Sequence, residues 1–376
     1  MRKILVNICI SLSFAINLQA ADKLYHAIVA VDGSGDYTSV QAAIDAVPEN
    51  NLNQHLIYIK AGTYREHVFI PQGKGRLSLI GEGMDCVFIT DNLKSGGPEA
   101  VPVDQGATVV VHANDVTFQG ISFVNSYGVE AEDGPQALAL YAKGDRIAID
   151  HCAILSYQDT YRTSESVNGR NYVSHSLILG AVDFIYGSGN AWLEQCTIKI
   201  NRKSGGWIVA PKHQAETRWG YVFNHCTLTA DGNPSETSIL LGRPWHHHPQ
   251  SVFLYTRSEI TIPAEGWCPH MNGLPTVFAD YQTTDSNGNL LDLSKRINRY
   301  YRIDEKKDTI WCTAKNTLTR EEAEKYTIEA VMSGDDHWNP ELIFQAAKKP
   351  IGYITINHKK LPVNQYGCFE RFEHSR

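Results

Sequence analysis

Ile149-Asp150-His151-Cys152-Ala153-Ile154 is followed by Val173-Ser174-His175-Ser176-Leu177-Ile178, Leu193-Glu194-Gln195-Cys196-Thr197-Ile198 and Phe223-Asn224-His225-Cys226-Thr227-Leu228. Fainter copies run from Phe118 to Phe123 and from Tyr255 to Ile260. Each unit is a short run rich in β-branched and aromatic residues, which reads as strand rather than helix. Asn, Asp, Gly and Ser cluster between the runs, as in Asp231-Gly232-Asn233-Pro234, and mark turns. Self-similarity at a period of 20 to 50 residues is the signature of a solenoid. Strands at that period, with no helical pattern between them, specify an all-β chain wound as a parallel β-helix. Its coils stack roughly 4.8 Å apart, the spacing of strands in any sheet. Cys152, Ser176, Cys196 and Cys226 then form an inward ladder of small side chains, since a free cysteine packs as a small hydrophobe.

The same repeat aligns two acids. Cys152 and Ser176 are 24 positions apart, and so are Asp159 and Asp183. On neighbouring coils the two carboxyls therefore share one register. Carboxyls about 5 Å apart cannot both ionise cheaply, so one pKa is expected to rise and the other to fall. An acid beside an anion suits a carboxylate nucleophile with a general acid, or acid–base hydrolysis. The plainer alternative is a pair of surface aspartates that decorate a coil. Neighbouring residues favour chemistry. Gln158 precedes Asp159, and Gln136 lies 22 residues before Gln158 on the strand Gln136-Ala137-Leu138-Ala139-Leu140. Amides on adjacent rungs can aim N–H donors at a developing oxyanion. Arg243, in Leu240-Leu241-Gly242-Arg243-Pro244-Trp245, offers a two-pronged guanidinium to hold one aspartate ionised.

Composition sets the frame. The 376 residues hold 43% hydrophobic residues, ordinary for a folded chain, and a solenoid of this length remains one unit because it grows along one axis. Arg2 and Lys3 precede an apolar stretch from Ile4 to Ile16, and Leu18-Gln19-Ala20 is an acceptable cleavage tripeptide, so residues 1–20 read as a signal peptide. Removing them takes the formal net charge from −7 to −9. An acidic chain of this kind is expected to bind neither nucleic acid nor anionic membrane, and to act as a secreted or periplasmic monomer. Seven cysteines remain, at 86, 152, 196, 226, 268, 312 and 368, with no CxxC pair to suggest zinc. His246-His247-His248 reads as a solvated loop, because adjacent histidines rarely converge on one ion.

Tyr157-Gln158-Asp159-Thr160, Gly180-Ala181-Val182-Asp183-Phe184-Ile185-Tyr186-Gly187 and Leu241-Gly242-Arg243-Pro244-Trp245 resemble the three signature motifs of pectin methylesterases. Val31 to Ile44, Ala61-Gly62-Thr63-Tyr64-Arg65-Glu66, Leu79-Ile80-Gly81-Glu82-Gly83 and the segment from Leu318 to Pro340 resemble other parts of that family. The likeness covers roughly residues 25–342, so the reading is a β-helix domain over 21–342 and a C-terminal extension over 343–376. The resemblance implies a right-handed parallel β-helix that hydrolyses methyl esters on the galacturonate units of pectin, with no metal or organic cofactor. It implies Asp183 as nucleophile, Asp159 as general acid and then base, Gln136 and Gln158 as the oxyanion pair, and Arg243 as the residue that orients the nucleophile. Tyr186 and Trp245 fall where the family lines its substrate groove. Trp267 is a weaker candidate, and Trp192, Trp207 and Trp219 are equally core or turn-packing residues.

The chain also departs from the pattern. Thr160-Tyr161-Arg162 replaces the usual Thr-Leu-Tyr, which brings Arg162 toward the groove, where it and the loops at 92–106 and 202–220 are expected to set substrate preference. Ser176 stands where some bacterial relatives place a disulfide cysteine, so no bridge from Cys196 to that rung is expected. The acid pair also fits a glycosidase or lyase acting on the same polymer, or a non-catalytic carbohydrate-binding solenoid. A thioester-cleaving esterase is also conceivable on this fold. The two amides and the arginine favour ester hydrolysis, because an ester oxyanion uses such donors.

Overall fold

Strands recur in threes along the chain. The computed structural model describes residues 24–371 apart from 96–100, 130–135, 203, 346–349 and 357, and the expected leader at 1–20 lies outside the described residues. Among the described residues the strands assemble into three long parallel sheets of eleven, eight and seven strands. A complete coil contributes one strand to each, in that order, and the coils at the two ends add strands to the first sheet alone. Ile147–Asp150 belongs to the first sheet, Ala153–Leu155 to the second and Tyr161–Arg162 to the third. Ile149 pairs with Phe118 on one side and Val173 on the other, and Val173 pairs with Leu193, so the repeats read from sequence are consecutive rungs.

The corner between the first and second sheets explains the repeat. Gly120, His151, His175, Gln195, His225, Tyr255 and Gln282 occupy one position on successive coils, each with φ between 46° and 70°. Left-handed backbone costs a non-glycine residue about 1 kcal/mol or more. Ring stacking along the corner offsets part of it. His151 lies on His175 and His225 on Tyr255, with centroids 5.0 Å apart in both pairs. Immediately inside run Cys152, Ser176, Cys196 and Cys226, all buried as the ladder required. The faint copy placed at Tyr255–Ile260 is corrected by two residues. Phe223 pairs with Phe253 and Leu228 with Ser258, so that copy runs from Phe253 to Ser258, with Tyr255 at the corner and Thr256 on the ladder. A polar Ser258 in place of an apolar residue hides this register in the sequence.

The interior is packed with Val, Ile, Leu and Phe side chains from all three sheets. At its N-terminal end the helix Val40–Asp45, capped by Ser39, inserts Val40, Ala43 and Ile44 into the same core. The outer face of the first sheet is apolar too, and later segments cover it. Ala323, Val331 and Met332 pack against Tyr172, Trp192, Val222 and Val252. The tail forms an antiparallel hairpin, Gly352–Ile356 with Lys359–Val363. Its Ile354, Leu361, Val363 and Phe369 bury against Tyr25, Leu56 and Ile80. Gln119 clasps the Phe369 backbone, donating to its oxygen at 3.1 Å and accepting from its nitrogen at 3.2 Å. These later segments together cover the first sheet's outer face, whereas Val110, Leu138, Tyr141, Tyr186 and Ala210 of the third sheet bury one another in a smaller cluster edged by Trp245.

Candidate active site

The corner between the second and third sheets carries the acids. Gln136 pairs with Gln158, and Gln158 with Val182, so the two glutamines stack on adjacent rungs. One residue on, Asp159 and Asp183 share the next register on their two coils. Asp159 donates its backbone N–H to Val182, and Asp183 donates its own to Trp207. Both have left-handed backbone, φ 61° and 51°. Aspartate and asparagine tolerate this region better than most residues, and such conformations gather at functional sites. Here the twist breaks the alternation of the strand and turns both carboxyls out of the core.

Gln136, Gln158, Asp159, Asp183, Arg243 and the rings of Tyr186 and Trp245 line a single cavity of about 130 Å³. Arg243 grips Asp183 through two prongs. Its Nε donates at 2.8 Å to one carboxylate oxygen, and its Nη2 donates to the other. Among the described residues no guanidinium clasps the Asp159 carboxyl; a side-chain hydrogen bond from Gln158 reaches it instead. Electrostatics follow from that difference. Burial pushes the Asp159 carboxyl well above the usual range, and the Asp183 charge pushes the same way against weaker pulls from Arg243 and Arg162. Burial also raises Asp183, but the hydrogen bonds and charge of Arg243 oppose it. The expected split, one pKa up and one down, is therefore corrected: both rise, Asp159 much further. The two acids remain unlike, because one guanidinium serves only one carboxylate.

Other residues expected at the site fall in different places. Trp245 is half-buried at the rim, edge-on to Tyr186 with centroids 5.6 Å apart. Tyr186 is 4% exposed, so it forms the wall and offers little ring face. Arg162 lies over the Tyr141 and Tyr186 rings at 4.7 and 5.4 Å, and its guanidinium pairs with Glu165, which also receives Lys212 at 2.7 Å. It is thus a bridled cation beside the pocket rather than a free arm in the groove. Trp267, expected as a weaker sugar platform, is instead fully buried and stacked on Phe278 at 4.4 Å, so it offers no ring face to a sugar. Trp192 and Trp219 pack on the first sheet's outer face, whereas Trp207 is a floor beneath the Arg243 guanidinium at 4.0 Å.

Sequence reading missed Met271 and Ala210, which complete the cavity lining. Met271 arrives from a later coil and carries no local signal of its role. Among the described residues, the group with metal-like convergence is Asp150, His151 and His175, at the other corner, where both ring Nδ1 atoms already bond the Asp150 carboxylate. The His246-His247-His248 run does not form such a group.

Known proteins match this chain along most of its length. A family model described as Pectinesterase matches residues 26–335. A pectinesterase of Petunia integrifolia is 30% identical over 336 residues, covering 85% of this chain and 83% of its own. A probable pectinesterase A of Aspergillus flavus is 33% identical over 272 residues, 70% of this chain and 80% of that protein. Among solved structures, the pectin methylesterase from carrot superposes with a TM-score of 0.70 at 26% identity, over 83% of this chain and 94% of its own.

Proposed function

This chain belongs to the pectinesterase family, a carboxylic ester hydrolase that removes methyl groups from pectin, and we propose that Asp183 is its nucleophile and Asp159 its proton carrier. One observation carries the assignment. The two acids share a rung-to-rung register, yet only Asp183 is clasped by Arg243. An anion held by two guanidinium donors is fixed in orientation with lone pairs left on both oxygens, while a buried neutral acid beside it keeps its proton for a leaving group.

The steps follow from those states. A carboxylate oxygen of Asp183 attacks the carbonyl carbon of a galacturonate methyl ester, and the π electrons move to oxygen. Gln136, on the rung beside the acids, donates its amide to that oxyanion. Gln158, which hydrogen-bonds Asp159 in the resting site, swings the same group to the intermediate. As the intermediate collapses, the C–OCH₃ bond breaks, and Asp159 gives its proton to the departing methoxide to form methanol. Ionised Asp159 then takes a proton from water, whose oxygen attacks the acyl group and frees Asp183 and the galacturonate product. Trp245 at the rim offers a ring face to the sugar, with Tyr186 and Arg162 as the wall behind.

Gln136→Ala is expected to lower kcat for methanol release by roughly 10²-fold, the scale for one oxyanion donor. An unchanged kcat removes Gln136 from the mechanism. Assaying methanol together with new reducing ends decides between esterase and glycosidase action in the same tube. The substrate is a wall polymer, which supports export through the segment 1–20. Protein recovered from the periplasm or medium is then expected to begin at Ala21. A mature chain that retains Arg2 and Lys3 overturns export by that route.

A further inference from the structure

The polymer outsizes the pocket. A cavity of about 130 Å³ holds little more than the reacting unit, so the units on either side must lie elsewhere on the protein. Along the helix axis beyond Arg243, one element departs from the coil pattern, as the tail hairpin also does. Arg299–Ile303 and Thr309–Thr313 form an antiparallel hairpin among parallel coils. Its two faces differ sharply. Tyr300 is fully buried, whereas Arg299 and Ile303 stand outward on one strand and Trp311 on the other. Trp311 is 52% exposed and Ile303 62% exposed.

The outward rings form a continuous ledge. His270 stacks on Tyr301 at 4.9 Å and 7°, Tyr301 leans on Trp311 at 4.8 Å, and the Arg299 guanidinium sits 4.7 Å from the Trp311 ring. The ledge joins the catalytic pocket through the chain itself. His270 is followed by Met271, a pocket-lining residue, and Trp245 by His246, which lines the next cavity with Asn272 and Arg302. Five strand-to-strand steps, Asp183 to Trp207, Val209 to Gly242, Gly242 to Trp267, His270 to Tyr301 and Tyr301 to Trp311, separate the coil of Asp183 from the ledge, roughly 24 Å of strand spacing. Arg302, His246, His247 and His248 line that cavity together with Asp304 and Glu305, a mixed polar setting that offers donors and acceptors to sugar hydroxyls. Large exposed aromatic surfaces are costly to leave in water, and stacked rings are how proteins hold pyranose faces.

Resting on the pectinesterase reading of the pocket, we infer that the 299–313 hairpin is an accessory sugar-binding ledge that takes the galacturonan chain several sugar units from the cleaved ester. Trp311 is its anchor, and Tyr301 and His270 carry the chain back toward Met271.

The test compares highly methyl-esterified pectin with a methyl-esterified trigalacturonide. Trp311→Ala is expected to lower the ratio of kcat/KM on polymer to kcat/KM on trimer by roughly tenfold, through KM on the polymer. Leu290→Ala, which removes an equally exposed apolar side chain elsewhere, is expected to leave the ratio unchanged. A ratio unaltered by Trp311→Ala, or an equal loss on both substrates, overturns the ledge. Polymer affinity of the Asp183→Asn protein, with and without Trp311→Ala, reads the ledge without turnover. A roughly tenfold weakening there supports it, and equal affinities overturn it. A wild-type protein that releases no methanol from either substrate sinks the catalytic reading, and the affinity comparison still decides the ledge.

Discussion

Asp183→Asn is expected to cut methanol release from methylated pectin by roughly 10⁴-fold or more, the scale on which enzymes lose turnover when a nucleophile is removed. The substitution is close to isosteric, and asparagine accepts the left-handed backbone that position 183 requires, so the corner keeps its shape. The amide has no anionic oxygen to attack with. It also presents an N–H₂ toward the Arg243 guanidinium, which then loses part of its partner. A thermal melt and the circular dichroism spectrum should therefore change little beside the loss of rate. Activity within tenfold of wild type would falsify the nucleophile assignment, and a collapsed melt would show that the pair is chiefly structural. Arg243→Lys separates orientation from charge. A lysine restores the positive charge without the two-pronged geometry, so only partial recovery is expected.

The pH profile is the second large effect, and its sign follows from burial. Both carboxyls are raised, Asp159 well above its ordinary value and Asp183 less because Arg243 opposes the shift. kcat/KM is expected to be bell-shaped. It falls on the acid side as Asp183 takes a proton and on the alkaline side as Asp159 loses one, with both limbs belonging to the coupled pair. Asp159→Asn keeps the nucleophile but removes the proton carrier. A loss of about 10³-fold, within the range for general acid catalysis, is expected together with disappearance of the alkaline limb. Stability carries an independent signature. A carboxyl raised in the folded state contributes stability below its unfolded pKa and withdraws it as pH rises through the folded pKa. The wild type should thus lose stability toward alkaline pH by more than Asp159→Asn does, measured by melting across a pH series. Parallel melting curves for the two proteins would mean that Asp159 is already ionised at neutral pH.

Much of the architecture was open to reading because one coil repeats one pattern. An apolar strand residue, a corner residue, a small inward residue and a second strand recur at positions 149–154, 173–178, 193–198 and 223–228, and the structure pairs them in that register. Asp159 and Asp183 were found because they keep a constant offset from that repeat. Local sequence failed where the repeat was blurred. At Phe253–Ser258 a serine fills the place of an apolar residue, and the pattern by itself points two positions late. Trp267 shows the limit of composition: a tryptophan near a motif reads as a platform, yet Phe253 and Phe278 enclose it. Arg162 marks a similar limit, since its restraint by Glu165 and Lys212 depends on a residue 50 positions from it in the chain.

By itself, then, the order of residues determined that this chain winds into stacked coils and that two acids, two amides and an arginine recur at compatible places, because strand period and hydrogen-bond pairing act between near neighbours and write themselves along the chain. Which acid holds the proton, where Met271 enters, how the tail covers one sheet and where the ledge of rings stands were decided only on folding. Those outcomes depend on burial and on contacts between coils distant in sequence, and dielectric and distance exist only once the chain has closed around them.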